Sequence, residues 1–385
     1  MEMLPLGLAQ EEPTMTIPSG AAHATIGANV HIEARNISVG EGVILGDEVR
    51  IECDRLVLRD GARLDAGVTV RARHFELGHS SRIETRCVLG SMSGTPSESI
   101  RFGDCSLLSH DSKLLVPAAA IGDYTAIHNH ALINGRKPLA IGHNCWIGQH
   151  CVLNSEDTLT VGNHVGIGAS SSVYTHGYFG DLLEGSQVFK VAPVTIEDDT
   201  WILGAYNIVS PGVVLGEKSL VLTGSNVTRS VPPNHCVGGA PAKDMTDRIT
   251  PYRSVPLEEK QAMVRGYVRE FLEESCPRAY REEVDAFVVP EGPLAGKISF
   301  IDLLDQSTPL PHERPLIVIA GSVSRGETPS SVTWIDLERR CYRKTRSSVE
   351  VRLLGFLKSY RARFVPEDRP RVELPALSEG DFSPG

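Results

Sequence analysis

No stretch of this sequence approaches the roughly twenty uninterrupted apolar residues of a membrane-spanning helix, so no transmembrane segment is expected. A basic surplus is missing as well. With 38 Lys and Arg against 48 Asp and Glu, the formal charge is −10, which leaves no cationic field for a nucleic-acid backbone or an anionic bilayer. The first twenty residues hold acidic side chains but no basic segment leading into an apolar run, so no secretory leader is expected. The eight cysteines lie far apart without a CxxC pair, which predicts reduced thiols rather than a disulfide framework. Cys145 and Cys151 occupy small-residue positions of a repeat, where a buried apolar role outweighs that of a nucleophile. These absences predict a cytoplasmic protein that handles a small molecule, with 385 residues and 41% hydrophobic content sufficient for a core and two domains.

What the sequence does have is a period. Ten starting positions can be marked: Ile26, Val39, Leu58, Leu77, Phe102, Ile121, Ile141, Val161, Ile196 and Leu215. Six residues beyond each stands a large aliphatic residue, and six further on an apolar one in every case but Ser38. Three hexads per unit, with units mostly 19 or 20 residues apart, fit neither an amphipathic helix nor simple strand alternation. They describe a three-sided coil, each side placing one aliphatic residue inward and small residues turning the corners, stacked into a parallel β-solenoid of about ten coils. Two insertions interrupt the rhythm: a short Ser/Gly/Pro loop at Ser91 to Ser99, and a long loop from His176 to Val191 of a length that usually serves a function.

The expected division is an N-terminal tail over 1–23, the solenoid over 24–245 and a small α+β domain over 246–385. In that last part a helix is predicted from Leu257 to Leu272 with Met263, Tyr267 and Phe271 as its core stripe. Strands are expected at Ala286 to Val289, Ile298 to Leu303, Leu316 to Ala320 and Val332 to Leu337, with a second helix from Val349 to Tyr360.

Pro193 to Met245 carries a Trp before Ile202, the corner Pro211-Gly212-Val213, the pair Gly224-Ser225, a Pro-Pro after the final coil and a GxPAK ending at Lys243. This stretch resembles the hexapeptide-repeat acyltransferases that act on sugars and antibiotics, whose coils wind left-handed, and the resemblance is good over Ile121 to Met245. It implies a left-handed parallel β-helix, acetyl-CoA or another acyl-CoA as donor, and direct transfer to a hydroxyl or amine without an acyl-enzyme. His176 would be the general base, imidazole being the side chain that takes and returns a proton near neutral pH. Backbone amides would hold the developing oxyanion. Donor contacts would come from Trp201, Gly204, Ala205, Thr223 and Gly224 along the pantetheine arm and from Arg229 and Lys243 on the phosphates. A homotrimer with active sites between subunits is also implied.

Stacking places equivalent positions in columns. His130, His150 and Ser170 form one; Asn134, Asn154 and Tyr174 form another at the corner beside the long loop, and Asn154 and Tyr174 are the acceptor-binding candidates. The sequence leaves the acceptor open between a saccharide, expected first, and a xenobiotic or natural product. Two readings of other classes stand beside these. A zinc enzyme similar to the γ-class carbonic anhydrases would draw on the six histidines from His128 to His176, but their spacings differ from that pattern and no metal is expected. A non-catalytic scaffold would leave the His176 loop without a purpose. One irregularity bears on the site: the segment from Trp201 to Pro211 holds one residue more than hexad spacing allows.

Overall fold

The computed structural model describes residues 24–277, 279–305, 308, 316–324 and 332–377, so the tail expected over 1–23 lies outside the described residues. The hexads wind around three faces, and each short strand pairs in parallel with its counterpart one coil on. On the second face Leu45 lies opposite Leu64, and the column continues through Ile83, Leu108, Ile127, Ile147, Ile167, Ile202 and Val221 to Val237. That sheet has twelve strands and ends in an antiparallel one, Lys243–Asp244. The first and third faces join in a sixteen-stranded sheet, because the nine-residue strands His31–Val39, Arg50–Leu58 and Thr69–Leu77 run through the corner between them. Inward aliphatic residues of all three faces form one continuous core. At about 1.5 to 3 kcal/mol for each buried aliphatic side chain, this interior holds together a fold that has no helix before residue 257 among the described residues.

Two register expectations need correction. Ile26 pairs with Leu45 and Ile32 with Ile51, so Ile26 belongs to the second face and the chain enters the solenoid one hexad later than its first apolar residue suggests. Ser38, the one polar exception, is therefore not an inward position; it sits beside Val57 with Val39 opposite Leu58. The second correction concerns the irregular coil. Val173 pairs with Val209, not Ile208, so the extra residue is absorbed in the turn between Ile202 and Val209. Ile208 is consequently 44% exposed and Val209 1%.

The corners follow a conformational rule. Three residues after each inward residue of the first face, φ is positive: Ser80, Cys105, Tyr124, Asn144, His164, Asp199 and Lys218. Three residues after those of the second face the same holds for Arg86, Asp111, His130, His150 and Ser170, and Tyr206 takes this place in the coil with the extra residue. A left-handed conformation costs an ordinary residue about 1 to 2 kcal/mol, least for Gly, Asn and Asp, with His also enriched there. Three of the clustered histidines thus occupy turn positions. One residue earlier in the first corner, side chains cap the coil behind them: Asp123 Oδ1 accepts the Asp104 N–H at 2.9 Å, His143 Nδ1 that of Asp123 at 2.9 Å, Asn163 Oδ1 that of His143 at 2.9 Å and Asp198 Oδ1 that of Asn163 at 2.7 Å.

Beyond the solenoid, helix α1 (Leu257–Ser275) and helix α2 (Ser348–Ser359) pack with a seven-stranded mixed sheet. The predicted strands are present: Ala286–Val289 as expected, Gly296–Leu304 and Leu316–Val323 slightly longer, and Thr333–Asp336 one residue shorter at each end. The α1 stripe is shifted: Val264, Val268, Phe271 and Leu272 are buried, whereas Met263 is exposed and Tyr267 only half-buried. Ser347 caps α2 by accepting the Glu350 N–H at 3.2 Å. This domain docks on the first corner through charge. Lys344 Nζ lies 2.5 Å from Asp123 and 3.0 Å from Asp104, Arg346 lies 2.8 Å from Asp104, and Arg340 lies 2.7 Å from Asp199. No described helix is long and apolar enough to cross a membrane.

Candidate active site

Both insertions leave the solenoid at its third corner, between the third face of one coil and the first face of the next. The longer one is a β-hairpin, His176–Phe179 paired antiparallel with Val188–Val191, and His176 stands at its root opposite Val191. The hairpin return passes over the next coil, where a Cβ on Gly212 would come within 2.9 Å of Lys190 Nζ and 3.2 Å of the Ala192 side chain.

At that root the chain fixes an imidazole. Asn154, one coil back, is 5% exposed, and its amide orientation is set by backbone: Nδ2 donates to the Asn134 carbonyl at 3.3 Å and Oδ1 accepts the Glu156 N–H at 3.2 Å. The same Oδ1 lies 2.7 Å from His176 Nδ1 and 3.1 Å from the buried Thr175 hydroxyl, which donates to it. An amide oxygen only accepts, so the neutral ring carries its proton on Nδ1 and its lone pair on Nε2. That tautomer suits a group meant to take a proton at Nε2. Thr175 in turn accepts the Asp157 N–H at 3.0 Å, tying the corner to its neighbour. The Tyr174 ring meets the imidazole edge-on, with centroids 6.3 Å apart.

The expected acceptor pair therefore separates. Tyr174 is half-buried beside His176, but Asn154 is buried behind the imidazole with its amide engaged, which places it to orient the ring rather than to touch an acceptor. Sequence reasoning put Asn154 in the right column and missed this contact. The signal was the 22-residue separation, one coil plus the step across a corner.

The expected donor residues also divide. Gly204, Ala205, Thr223 and Gly224 stack in two successive turns of the second corner, with the Gly224 N–H donating to the Ala205 carbonyl at 3.1 Å. A Cβ on Gly204 would sit 2.1 Å from Thr223 Oγ1, and one on Gly224 would point into open space. Both glycines have positive φ, 64° and 69°. This small-residue ledge would let an extended thioester arm approach the backbone. Arg229 and Lys243 are exposed near the end of the solenoid, where they would meet phosphates. Trp201 does not join them. Its ring covers Gly166, where a Cβ would fall 2.3 Å from it, and lies under Arg361 and Arg363 of the C-terminal domain, 5.1 and 4.8 Å from the ring centre. Whether this Trp faced a cleft depended on what the second domain covers, which the repeat cannot reveal.

The histidines of the zinc reading do not meet at one point: His143 and His164 stand at the first corner, His130 and His150 stack with ring centres 4.8 Å apart at the second, and His176 stands at the third. Among the described residues, one trio brings possible ligand atoms within 4.8 Å of one another: His110, Asp111 and His130 on the second corner. Asp111 there already pairs with Arg86 at 2.6 Å and His110 at 2.8 Å.

No family model matches the chain. It is 32% identical over 84 residues to the galactoside O-acetyltransferase of Escherichia coli, covering 21% of this chain and 40% of that protein. It is 38% identical over 78 residues to a putative acetyltransferase of Saccharomyces cerevisiae, covering 20% and 39%. The chain thus spans less than half the length of these relatives. Among solved structures, a hexapeptide-repeat acetyltransferase from Vibrio cholerae complexed with acetyl coenzyme A matches at 26% identity over 46% of this chain and 72% of that one, with a TM-score of 0.26. An Arabidopsis UDP-N-acetylglucosamine acyltransferase matches at 17% identity over 68% and 83%, with a TM-score of 0.37. With its hexad period and stacked three-sided coils, the solenoid is similar over part of its length to these hexapeptide-repeat acetyltransferases.

Proposed function

We propose that the protein transfers an acetyl group from acetyl-CoA to a hydroxyl or amine of a small acceptor, most plainly a saccharide, with His176 as general base. The observation that carries this reading is the 2.7 Å contact between Asn154 Oδ1 and His176 Nδ1, which holds the imidazole lone pair at Nε2 at the root of an inserted hairpin. Acetyl-CoA, when bound, supplies an electrophilic thioester carbonyl. Nε2 takes the acceptor proton as the acceptor atom attacks the thioester carbonyl, the C–S bond breaks to release the CoA thiolate, which takes the proton back from the imidazolium, and Asn154 steadies that imidazolium through its Nδ1–H. Tyr174 lines the acceptor side. Gly204, Ala205, Thr223 and Gly224 leave room for the pantetheine arm, and Arg229 and Lys243 meet its phosphates. The saccharide preference follows the galactoside O-acetyltransferase, a relative that matches only part of its own length.

A shared site fits the exposed surface. The hairpin carries Leu182, Leu183 and Val188 well exposed, Leu183 at 96%, and Tyr206, Ile208 and Val214 lie exposed on the coil beyond it. An arm this apolar is suited to a neighbouring subunit, and we read the working form as a homotrimer. All eight cysteines are free thiols, which suits a reducing, cytoplasmic setting.

The test is thiol release from acetyl-CoA across a panel of saccharide and xenobiotic acceptors. His176→Ala is expected to lower kcat by about 10² to 10⁴, the usual contribution of a positioned general base, while calorimetry shows unchanged acetyl-CoA affinity. Turnover near that of the wild type would remove His176 from the chemistry.

A further inference from the structure

A cavity of about 480 Å³ lies between the second face of the solenoid and the C-terminal domain, away from the corner that carries His176. Its size is that of a small-molecule site. One wall is the Trp201 ring, held flat on Gly166. Facing it are Tyr252, Tyr267 and Tyr360, the last two with ring centres 4.7 Å apart. Flat rings on several sides suit a flat ligand.

The charge in this cavity is out of keeping with the rest of the chain. Lys260, Arg340, Arg361 and Arg363 bring four cations to its lining, against one carboxylate among the described lining residues, in a protein of net charge −10. That carboxylate, Asp199, is taken by Arg340 at 2.7 Å. Arg363 is 4% exposed; its Nη1 donates to the His164 carbonyl at 2.8 Å, and its Nε is buried with no partner among the described residues. Burial first, and then the charge of Arg361, pull its pKa down to about 10. A buried guanidinium short of an acceptor is costly, and an anion delivered to it would relieve that cost.

From the aromatic walls, the four cations of the lining and the buried Arg363 with its unpartnered Nε, we infer that this cavity binds a small anionic ligand with a flat ring. The ring would lie among Tyr252, Tyr267 and Tyr360 at the edge of Trp201, while a carboxylate or phosphate reaches Arg361 and Arg363. The site is separate from the proposed transfer chemistry, since its lining includes neither hairpin nor ledge residues.

The probe is 1-naphthoate, titrated calorimetrically into the full-length protein beside the neutral 1-naphthalenemethanol. One saturable site per chain is expected, with the neutral compound at least about tenfold weaker, the loss expected for one charge-assisted contact. Arg361→Gln, at an exposed position, should weaken naphthoate by a similar factor and leave acetyl-CoA affinity unchanged. Equal binding of the neutral compound, equal binding to a folded Arg361→Gln protein, or displacement of naphthoate by acetyl-CoA would each overturn the assignment. So would failure to saturate at millimolar probe. Should Arg361→Gln fail to fold, the comparison of charged with neutral probe on the unmodified protein still decides.

Discussion

Replacing Asn154 by aspartate keeps an acceptor against His176 Nδ1 but adds a negative charge at the 2.7 Å contact. An opposite charge at this range stabilises the imidazolium and raises its pKa by about one to three units, equivalent to about 1.4 to 4 kcal/mol. A protonated imidazole cannot take a proton at Nε2, so the variant should lose activity across the added window and regain it at higher pH. The acid limb of the rate profile is therefore expected to move upward by about one to three pH units. Asn154→Ala removes the acceptor without adding charge. It leaves the Glu156 N–H and the Thr175 hydroxyl without that partner, costs about 0.5 to 1.5 kcal/mol of stability for each hydrogen bond lost, and should lower the rate without the upward movement of the limb that aspartate brings. Imidazole titration followed by nitrogen NMR, with the His176 signal identified by its loss in His176→Gln, reads the same shift without any acceptor and reports the Nδ1–H tautomer directly. A titration of Asn154→Asp that superimposes on the wild type would refute the coupling between these two residues.

The docking of the C-terminal domain should be sensitive to acid. Burial pushes the Asp104 carboxyl up, but Lys344 and Arg346 outweigh it and hold the group below its ordinary range; Asp199 is depressed likewise by His164 and Arg340. Carboxylates with folded pKa values below the unfolded ones stabilise above the unfolded value, and that contribution is lost as pH falls through the folded value. Melting followed from pH 7 down should therefore fall progressively below about pH 4. Lys344→Met should cost about 3 to 5 kcal/mol already at neutral pH by leaving Asp104 and Asp123 short of a partner, and an unchanged melting temperature would contradict the geometry. Leu183→Asp, at the hairpin tip, is expected to reduce the mass measured by light scattering below that of the wild-type oligomer; a wild-type monomer would argue against a shared site.

The aliphatic period makes the three faces legible in the sequence, because an inward position tolerates little else. It did not fix register where the period starts or where it slips. One hexad resembles another, so Ile26 could be set on the wrong face, and the adjacent aliphatics Ile208 and Val209 compete for one inward position once a turn lengthens by a residue. Histidine enrichment was visible too, but its cause was not: His130, His150 and His164 occupy turns with positive φ, a backbone property. Asn154 was found as a member of a corner column, whereas its contact with His176 depends on where the hairpin departs. The second domain hid the most. Its docking rests on Lys344, Arg346, Arg340 and Arg363, which follow no period, and it alone determines that Trp201 faces arginines.

The two insertions share the corner that lacks an unbroken series of left-handed residues, and this suggests how the scaffold accepts novelty. At the other two bends each peptide is pinned by its conformation and, along one of them, by a side chain from the adjoining rung, and the one residue added there, between Ile202 and Val209, has to be taken up inside a single turn. The remaining edge is a seam: chain can be let out and taken back in without disturbing the stack. Segments grafted there, in the laboratory as in this molecule, should acquire new recognition while the prism beneath them keeps its alignment.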